Sequence, residues 1–323
     1  MMETAGAPLQ FSEIICTYNR ANMLGGAEES VVQQSLDPSR FEIIIVDNCS
    51  RDGTREEAAR LQAHYAGHTI RYVYEPNPGL GNARLAGLRI AQAEWLAFLD
   101  DDARAAPGWL AAAAGALRDQ PGLHGLGGPI HPLYLAEKPA WFQDEYEIRD
   151  WGSAERFLRK DEAFAGGNMF FPRRLLEQLA TVLPNAGMVG NFMRFGEDTA
   201  LFERAWEMLG QPIFLYQTQM VVYHAVPARN MDTGYILRRQ FSIGASNFRR
   251  SGPRRLFRRV LYILRHTGSL LRLATRMILS RGQFPRRENW LVERGGPVAK
   301  KLGLLSAALG LNIQFRQRQE AAP

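Results

Sequence analysis

Cysteine is scarce in this chain, and long apolar runs are absent from it. Only Cys16 and Cys49 occur among the 323 residues. Both lie near the ends of predicted buried strands, so we expect buried free thiols and a reducing compartment. No stretch reaches the roughly 18 apolar residues that span a bilayer. Residues 1–10 have neither a basic nor an apolar leader pattern, so we expect no signal peptide and a cytoplasmic location.

Acidic residues are almost missing from the last quarter of the chain. Residues 238–318 hold 19 Lys and Arg against only Glu288 and Glu293, which gives a net charge of +17. Residues 1–237 hold 20 basic and 30 acidic residues, which gives −10. This asymmetry predicts two tasks: site chemistry in the acidic front part, and contact with an anionic surface through the basic part.

Three consecutive aspartates, Asp100, Asp101 and Asp102, follow the apolar run 95–99. Carboxylates this close repel one another, so the cluster predicts a positive partner, most often a divalent metal. Such a metal usually shares its remaining positions with water and substrate phosphates. A solvated acidic turn is the alternative interpretation.

The first hundred residues alternate strand and helix patterns. Strands are predicted over 12–16, 41–46, 69–75 and 95–99, and helices over 23–35, 55–66 and 82–93, with Thr54 as the N-cap of the second helix. Repeated β-α-β units imply a mostly parallel sheet with right-handed crossovers. Ligands of such sheets bind at the carboxyl ends of the strands. We therefore expect Thr17, Asp47 and the three aspartates to meet in one crevice.

The middle of the chain has a less regular pattern. It predicts a helix over 109–117, a strand or strand edge over 125–130, a strand over 164–171, a helix from 197 to about 209 and a last strand over 213–224. The glycines at 166 and 167 permit close approach by a ligand or a neighbouring backbone. Residues 134–160 are rich in aromatic and charged side chains, which fits either a substrate-facing insertion or a covering loop.

Six short motifs follow one another in a fixed order. They are Thr17-Tyr18-Asn19-Arg20, Val46-Asp47-Asn48-Cys49-Ser50, Asn77-Pro78-Gly79-Leu80-Gly81-Asn82-Ala83-Arg84, Phe98-Leu99-Asp100-Asp101-Asp102, Gly166-Gly167-Asn168 and Gly196-Glu197-Asp198. With this set, residues 10–230 resemble the family 2 glycosyltransferases. The resemblance implies the α/β GT-A fold, Rossmann-like with a mostly parallel sheet. It implies a catalytic domain over 1–237, with a nucleotide-sugar half over about 10–105 and an acceptor half over about 106–237. Residues 238–323 would add a basic, amphipathic helical region.

The resemblance also implies inverting transfer of a sugar from a nucleotide donor, usually UDP-linked, with Mg²⁺ or Mn²⁺. By the family pattern Asp102 ligates the metal, and Asp100 binds the ribose hydroxyls or the water of the metal. Asp101 shares either role, because the triple aspartate leaves the register open by one residue. His224 is a further metal ligand, unless it is a structural histidine at a strand end.

Several other residues are predicted to contact the nucleotide sugar. Asp47 would accept a hydrogen bond from the base or ribose, unless it only shapes its turn. Arg84 would reach the diphosphate, unless it is a surface arginine, and Arg229 would clamp the diphosphate. Arg84 also stands where a third glycine would complete a dinucleotide fingerprint after Gly79 and Gly81, so we reject a dinucleotide site. The full predicted set is Thr17, Tyr18, Arg20, Asp47, Arg84, Asp100, Asp101, Gly167, Asn168 and Arg229.

Inversion needs a base that takes the proton of the acceptor hydroxyl. The resemblance points to Asp198, with Glu197 as the fallback. The alternative is that both carboxylates only favour the amide dipoles at the start of a helix.

Residues 254–281 combine an apolar stripe with an arginine-rich face. An amphipathic helix of this kind can lie in an anionic membrane interface. The alternative is a helix packed on the catalytic domain with a solvated basic face. Gly268 is a possible kink, and the second apolar stretch, 302–313, is too short to span a membrane. The stripe is Leu256, Phe257, Val260, Leu261, Leu264, Leu271, Ala274 and Ile278, and the arginines are Arg258, Arg265, Arg272 and Arg276.

We therefore expect a metal-dependent, inverting glycosyltransferase at the inner face of the cell membrane, with a glycan or lipid-linked acceptor. One alternative is a sugar nucleotidyltransferase, although the glycine- and arginine-rich N-terminal loop usual in that class is missing. A second is a non-enzymatic basic module for nucleic acid or acidic polymer. Nucleic acid is the less favoured partner, because few aromatics lie among the arginines. The sequence indicates no oligomeric state.

Overall fold

The computed structural model describes residues 8–183, 187–190 and 192–316. These residues form two compact units. The first unit takes in the described residues up to 133, together with 147–183 and 197–225. The second takes in 134–146, the described part of 187–196, and the described residues from 226 onward. The predicted boundary at residue 237 falls inside a helix of the second unit, Thr233–Ser251.

Eleven strands are present in the described part of the chain. They are β1 (Phe11–Thr17), β2 (Phe41–Asp47), β3 (Ile70–Tyr74), β4 (Trp95–Asp100), β5 (Ala103–Ala105), β6 (Gly125–Gly127), β7 (Ile130–Tyr134), β8 (Arg156–Phe157), β9 (Met169–Pro172), β10 (Phe214–Tyr216) and β11 (Val222–Val226).

The helices divide between the two units. The helices of the first unit are α1 (Ala21–Val32), α2 (Thr54–His64), α3 (Leu80–Ile90), α4 (Trp109–Asp119), α5 (Arg173–Leu179) and α6 (Glu197–Leu209). The helices of the second unit are α7 (Thr233–Ser251), α8 (Leu256–Leu279), α9 (Arg287–Trp290), a π-helical turn (Leu291–Gly295) and α10 (Gly296–Ala308). Short 3₁₀ turns lie at Pro38–Arg40, Asp144–Tyr146, Ala180–Val182, Ala228–Met231 and Arg281–Gln283.

An eight-stranded sheet organises the first unit, in the order β3-β2-β1-β4-β9-β6-β10-β8. Strands β3, β2, β1 and β4 are mutually parallel, whereas β9 runs antiparallel to β4 and to β6. A second sheet has the order β5-β11-β7. The predicted α/β class, with a mostly parallel sheet and a helical C-terminal region, is confirmed.

The β-branched run of β2 explains why the parallel part of the sheet is buried on both faces. Successive side chains of a strand point to opposite faces. Ile43 and Ile45 enter one apolar core with α1 and α4, while Ile44 and Val46 enter another with α3 and α5. Every residue of β2 is buried.

Several local predictions were wrong. The strand predicted over 164–171 begins only at Met169, because Asn168 N–H donates to the Ala165 carbonyl and closes a turn. The strand predicted over 213–224 is two strands, β10 and β11, separated by a turn in which Met220 N–H donates to the Gln217 carbonyl.

Two further details also differ from expectation. Thr54 is the first residue of α2 rather than its N-cap, because Asp52 accepts hydrogen bonds from the Thr54 N–H and hydroxyl. Both cysteines are free, as expected, but Cys16 and Cys49 are half-buried rather than buried.

The second unit is helical, and α7, α8 and α10 pack together in it. Its core contains Phe142 and Val292, and the aromatic side chains Tyr134, Trp141 and Tyr146 pack against that core. The aromatic residues of 134–146 therefore serve packing within this unit. Helix α8 is continuous through Gly268 and has no buried residue. None of the helices in the described residues combines the length and apolarity needed to cross a bilayer.

Candidate active site

The carboxyl ends of three neighbouring strands place the first group of predicted residues. Thr17 of β1 pairs with Asp47 of β2, and Cys16 pairs with Asp100 of β4. Because these strands are parallel and in this register, their polar last residues lie along one edge of the sheet. Thr17 and Asp47 are each only 2% exposed.

The aspartate cluster is held by two cationic side chains. Arg20 Nη1 donates to Asp101 Oδ1 at 2.8 Å and also pairs with Asp102 Oδ2. His224 Nε2 lies 3.2 Å from Asp102 Oδ1. The Ala225 N–H donates to the Asp102 carbonyl oxygen at 2.8 Å, which fixes β11 beside the cluster.

Burial and mutual charge set the pKa values of this cluster. Burial would raise the pKa of Asp102, but His224 and Arg20 outweigh it and hold that pKa far below its usual range. Burial opposes the charged His224 ring, yet Asp102 raises its pKa to about 9. Burial raises the pKa of Asp101 to about 6 against the attraction of Arg20, and burial together with Asp102 raises the pKa of Asp100. The cluster therefore combines one strongly ionised carboxylate with two that take up protons more readily.

Three of these side chains fit a divalent cation. Ligand atoms of Asp100, Asp102 and His224 all lie within 4.8 Å of one another. Two carboxylates and one imidazole suit Mn²⁺, and the carboxylates alone suit Mg²⁺. Gly167 belongs to the same place, because a Cβ at this position would stand 2.5 Å from Asp100 Oδ2. The absence of a side chain at 167 thus lets the backbone pass directly beside a candidate ligand.

Asp47 organises the loop that follows β2. Its Oδ1 accepts from the Ser50 N–H at 2.9 Å, and its Oδ2 accepts from the Tyr72 hydroxyl at 2.8 Å. The neighbouring Asn48 donates to the carbonyls of Glu75 and Asn77 and accepts from the Gly79 N–H. Each carboxylate oxygen has a second lone pair, so Asp47 keeps acceptor capacity toward a ligand.

Arg84 is buried rather than exposed at the surface, with 2% of its surface accessible. Its guanidinium lies 5.4 Å above the Phe98 ring, donates to the Gly166 carbonyl at 3.3 Å and stands 3.5 Å from Glu197 Oε1. The alternative of a surface arginine is therefore wrong. Arg84 joins the 166–167 turn to the start of α6.

The two candidate bases differ in environment. Burial, with repulsion from Asp198, raises the pKa of Glu197 to about 7, and Arg84 opposes the rise. The negative charge of Asp100 makes a smaller contribution in the same direction as Asp198. Asp198 Oδ1 accepts from the Thr199 N–H at 2.6 Å, so one of its oxygens serves the first turn of α6.

The remaining predicted residues occupy other environments. Asn168 is fully buried and bonds to Trp109 Nε1 and to the carbonyls of Pro129 and Met220. These bonds give its amide a structural role, and its contact with a donor stays a prediction. Tyr18 is half-buried in the loop after β1. Arg229 lies in the 3₁₀ turn Ala228–Met231 of the second unit, and its role also stays a prediction.

Sequence reasoning missed three residues that shape this site. Tyr72 binds Asp47, Phe98 lies under Arg84, and Glu147 contributes to the raised pKa of His224. Tyr72 and Phe98 are ordinary strand residues in the sequence. The one signal in the sequence was that Tyr72 and Phe98 each belong to a predicted strand of the parallel sheet. Their neighbours could be derived only once the pairing register of those strands was known.

Two sequence comparisons match this chain with known proteins. The model of the family described as Glycosyl transferase family 2 matches residues 12–179, just over half of the chain. The glucosyl-dolichyl phosphate glucuronosyltransferase of Haloferax volcanii is 24% identical over 248 residues, which make up 74% of this chain and 76% of that protein.

Two solved structures share the fold. The mannosyltransferase PcManGT from Pyrobaculum calidifontis, in complex with GDP-Man and Mn²⁺, has a TM-score of 0.57 at 20% identity, and the match covers 94% of this chain and 87% of that one. GalNAc-T7 with UDP, GalNAc and Mn²⁺ has a TM-score of 0.54 at 17% identity, over 74% of this chain and 48% of that one.

Proposed function

The chain belongs to glycosyl transferase family 2, and from this premise we propose that it transfers a sugar with inversion from a nucleotide donor, UDP-linked by preference, in a metal-dependent reaction. Its glycosyltransferase activity and GT-A fold follow from the family and the structural neighbours. The observation that carries the proposal is the meeting of Asp100, Asp102 and His224 at the sheet edge that also holds Thr17 and Asp47.

The proposed metal ligands are Asp100, Asp102 and His224, and the proposed ion is Mn²⁺ or Mg²⁺. When bound, this cation would neutralise negative charge on the oxygens of the departing diphosphate. PcManGT and GalNAc-T7 were both solved in complex with Mn²⁺, which supports manganese for this chain.

The proposed donor site is the loop region around the same strand ends. Asp47 would accept from the base or ribose through its remaining lone pairs, and Thr17, Tyr18 and Arg20 would line the nucleotide. Asp101 shares Arg20 with Asp102, so we propose that it orients that guanidinium. The proposed set of residues that contact the nucleotide sugar also includes Arg84, Gly167, Asn168 and Arg229.

We propose Asp198 as the base that removes the proton from the acceptor hydroxyl, with Glu197 as the second candidate. Thr199 donates only to Oδ1 of Asp198, so the Oδ2 atom of this carboxylate is not engaged by Thr199. Glu197 is held by Arg84 at 3.5 Å, and a carboxyl with a pKa of about 7 is well matched to proton transfer at neutral pH. The variants Asp198→Asn and Glu197→Gln distinguish between the two candidate bases.

The proposed acceptor is a lipid-linked or surface-polysaccharide glycan, presented at the inner face of the cell membrane. The Haloferax relative is a glucosyl-dolichyl phosphate glucuronosyltransferase, and this similarity supports a lipid-linked acceptor. The net charge of +17 over residues 238–318 supports attachment to an anionic membrane surface.

A panel of nucleotide sugars tests the transfer chemistry. The protein is screened with Mn²⁺ for donor hydrolysis and for thermal stabilisation. We expect release of a nucleoside diphosphate, and loss of both donor binding and Mn²⁺ binding in Asp102→Ala. Asp119→Ala, on the exposed end of α4, is the matched control and should behave as the wild type.

Two further comparisons sharpen this test. Asp198→Asn should lower the transfer rate at least a hundredfold while Mn²⁺ and donor affinity stay unchanged, in line with typical contributions of a general base. A larger loss in Glu197→Gln would make Glu197 the base. Release of pyrophosphate from a nucleoside triphosphate and a sugar phosphate would instead identify a nucleotidyltransferase and refute the proposal.

A further inference from the structure

Helix α8 presents a wide apolar face to solvent. Its 24 residues include none that is buried, and Leu256 and Leu279 at its two ends are 77% and 78% exposed. Along the helix the exposed apolar residues recur at spacings of three, four and seven, which places them on one side. We call this side the apolar face; it consists of Leu256, Phe257, Val260, Leu261, Leu264, Leu271, Ile278 and Leu279.

A cleft with basic walls adjoins the C-terminal half of this face. Its volume is about 540 Å³. Arg272 and Arg276 of α8 line it together with Ser280 and Gln283 of the following turn and Arg294 of the π-helical turn. We call these five residues the basic cleft. Leu271 and Leu279 line the same cleft and also belong to the apolar face, so the two surfaces are continuous.

The charge of the basic cleft is not balanced by the protein. No carboxylate lines it, and within the described residues none of its three arginines forms an ion pair. Arg294 lies 5.3 Å over the Phe284 ring, which orients its guanidinium. The Nε of Arg294 is buried and has no hydrogen-bond partner in the described part of the chain. The cleft therefore presents three guanidinium groups that no carboxylate in its lining neutralises.

These properties together identify a class of ligand. Guanidinium groups bind phosphate oxygens through paired N–H donors. A cleft of this charge that opens onto exposed leucines suits a molecule with a phosphate at one end and hydrocarbon at the other. A nucleic acid would use the arginines but would leave the apolar face in water.

We propose that the basic cleft binds the phosphate headgroup of an anionic membrane lipid, while the apolar face of α8 lies against its acyl chains. The inference deepens the proposed membrane association and rests on it, but it does not depend on the transfer chemistry. It adds a specific phosphate site to an otherwise diffuse attraction between basic residues and an anionic surface.

Vesicle binding by the full chain tests this site. Cosedimentation is measured with phosphatidylcholine vesicles that contain or lack phosphatidic acid, for wild type, Arg272→Gln/Arg276→Gln and Arg258→Gln/Arg265→Gln. The two double variants remove equal charge from the same helix, and only the first alters the cleft. Surface charge alone would cost each up to about thirtyfold in affinity, from roughly 1 kcal/mol per basic residue. We expect the cleft variant to lose at least tenfold more than its control.

Single variants keep the test decisive if a double variant folds poorly. Arg294→Lys keeps the charge but loses the paired donors, and it should weaken binding to phosphatidic acid vesicles about tenfold without changing the melting temperature. Leu264→Gln, on the apolar face and outside the cleft, should weaken binding to vesicles of both compositions.

Each remaining outcome overturns the inference in a distinct way. Equal losses in the two double variants would mean that the cleft is not a site. Stabilisation of the wild type, but not of the cleft variant, by inorganic phosphate alone would identify a free phosphate rather than a lipid. Cleft-dependent binding of a short DNA duplex, unaffected by Leu264→Gln, would identify a nucleic-acid partner. Failure of the wild type to bind vesicles, with sugar transfer to a soluble acceptor intact, would remove the membrane association and leave the enzyme assignment standing.

Discussion

Glu28 allows a quantitative test of the first unit. It lies on the core-facing side of α1, is 0% exposed, and neither of its carboxylate oxygens has a hydrogen-bond partner among the described residues. Burial, with a smaller contribution from Glu57, raises the pKa of Glu28 from 4.5 to about 7, although Arg60 opposes the rise. The folded protein therefore keeps this proton at pH values at which the unfolded chain has released it.

The size and sign of the effect follow from linkage. One pKa unit corresponds to about 1.4 kcal/mol, so the shift is equivalent to about 3 kcal/mol. Below pH 4.5 both states are protonated, and Glu28 costs nothing. Between pH 4.5 and pH 7 the unfolded state ionises first, and the free energy of unfolding falls. Above pH 7 the full cost of about 3 kcal/mol is present.

Glu28→Gln removes this titration while it keeps the shape of the protonated side chain. We expect the variant to equal the wild type near pH 4.5 and to exceed it by about 3 kcal/mol near pH 8 in urea-induced unfolding followed by tryptophan fluorescence. Glu29→Gln, exposed on the same helix, is the matched control and should change the free energy of unfolding by less than about 0.5 kcal/mol. A Glu28→Gln gain that is absent at pH 8, or equal at both pH values, would refute the reasoning.

Three more predictions concern the site. Gly167→Ala should weaken Mn²⁺ binding at least tenfold in calorimetry, because its Cβ would stand 2.5 Å from Asp100 Oδ2; unchanged affinity would contradict the close approach. The apparent affinity for Mn²⁺ should rise with pH up to about pH 9, by at most tenfold per pH unit. The reason is that a bound metal must displace the proton of His224, whose pKa is about 9. An affinity independent of pH would argue against His224 as a ligand. Arg84→Met should lower the free energy of unfolding by about 3 kcal/mol in denaturant titration, because it leaves Glu197 buried without its cation. Arg84→Lys should recover part of this loss. Equal stability of the wild type and both variants would contradict the pairing.

The parallel part of the fold could be predicted from sequence because its signals are local. The β-branched run of β2 and the apolar run of β4 mark buried strands by themselves, and the acidic ends of both strands mark the ligand edge. The strands β9 and β10 are only four and three residues long. Their limits are set by turns and by pairing with distant strands, and neither effect is visible in a short window of sequence.

The candidate site shows the same difference between local sequence signals and tertiary contacts. The three aspartates signalled a cation on grounds of repulsion alone, and their neighbours in the structure are Arg20 and His224. The position of Arg84 could not be derived, because its burial results from contacts with Phe98 and Glu197, which are 14 and 113 residues away along the chain. Side-chain direction inside a folded core is a property of tertiary packing, and a helical pattern specifies only the face on which a residue stands.

Arg20 has a consequence for how the enzyme is handled. Its guanidinium joins two aspartates of one cluster, so the protein carries its own counter-ion for carboxylates that would otherwise repel. Small metalloproteins without such an internal counter-ion unfold when a chelator removes their metal. Here the polypeptide itself keeps the strand ends together, so purification in the presence of EDTA should yield a folded protein whose activity returns when manganese is added back.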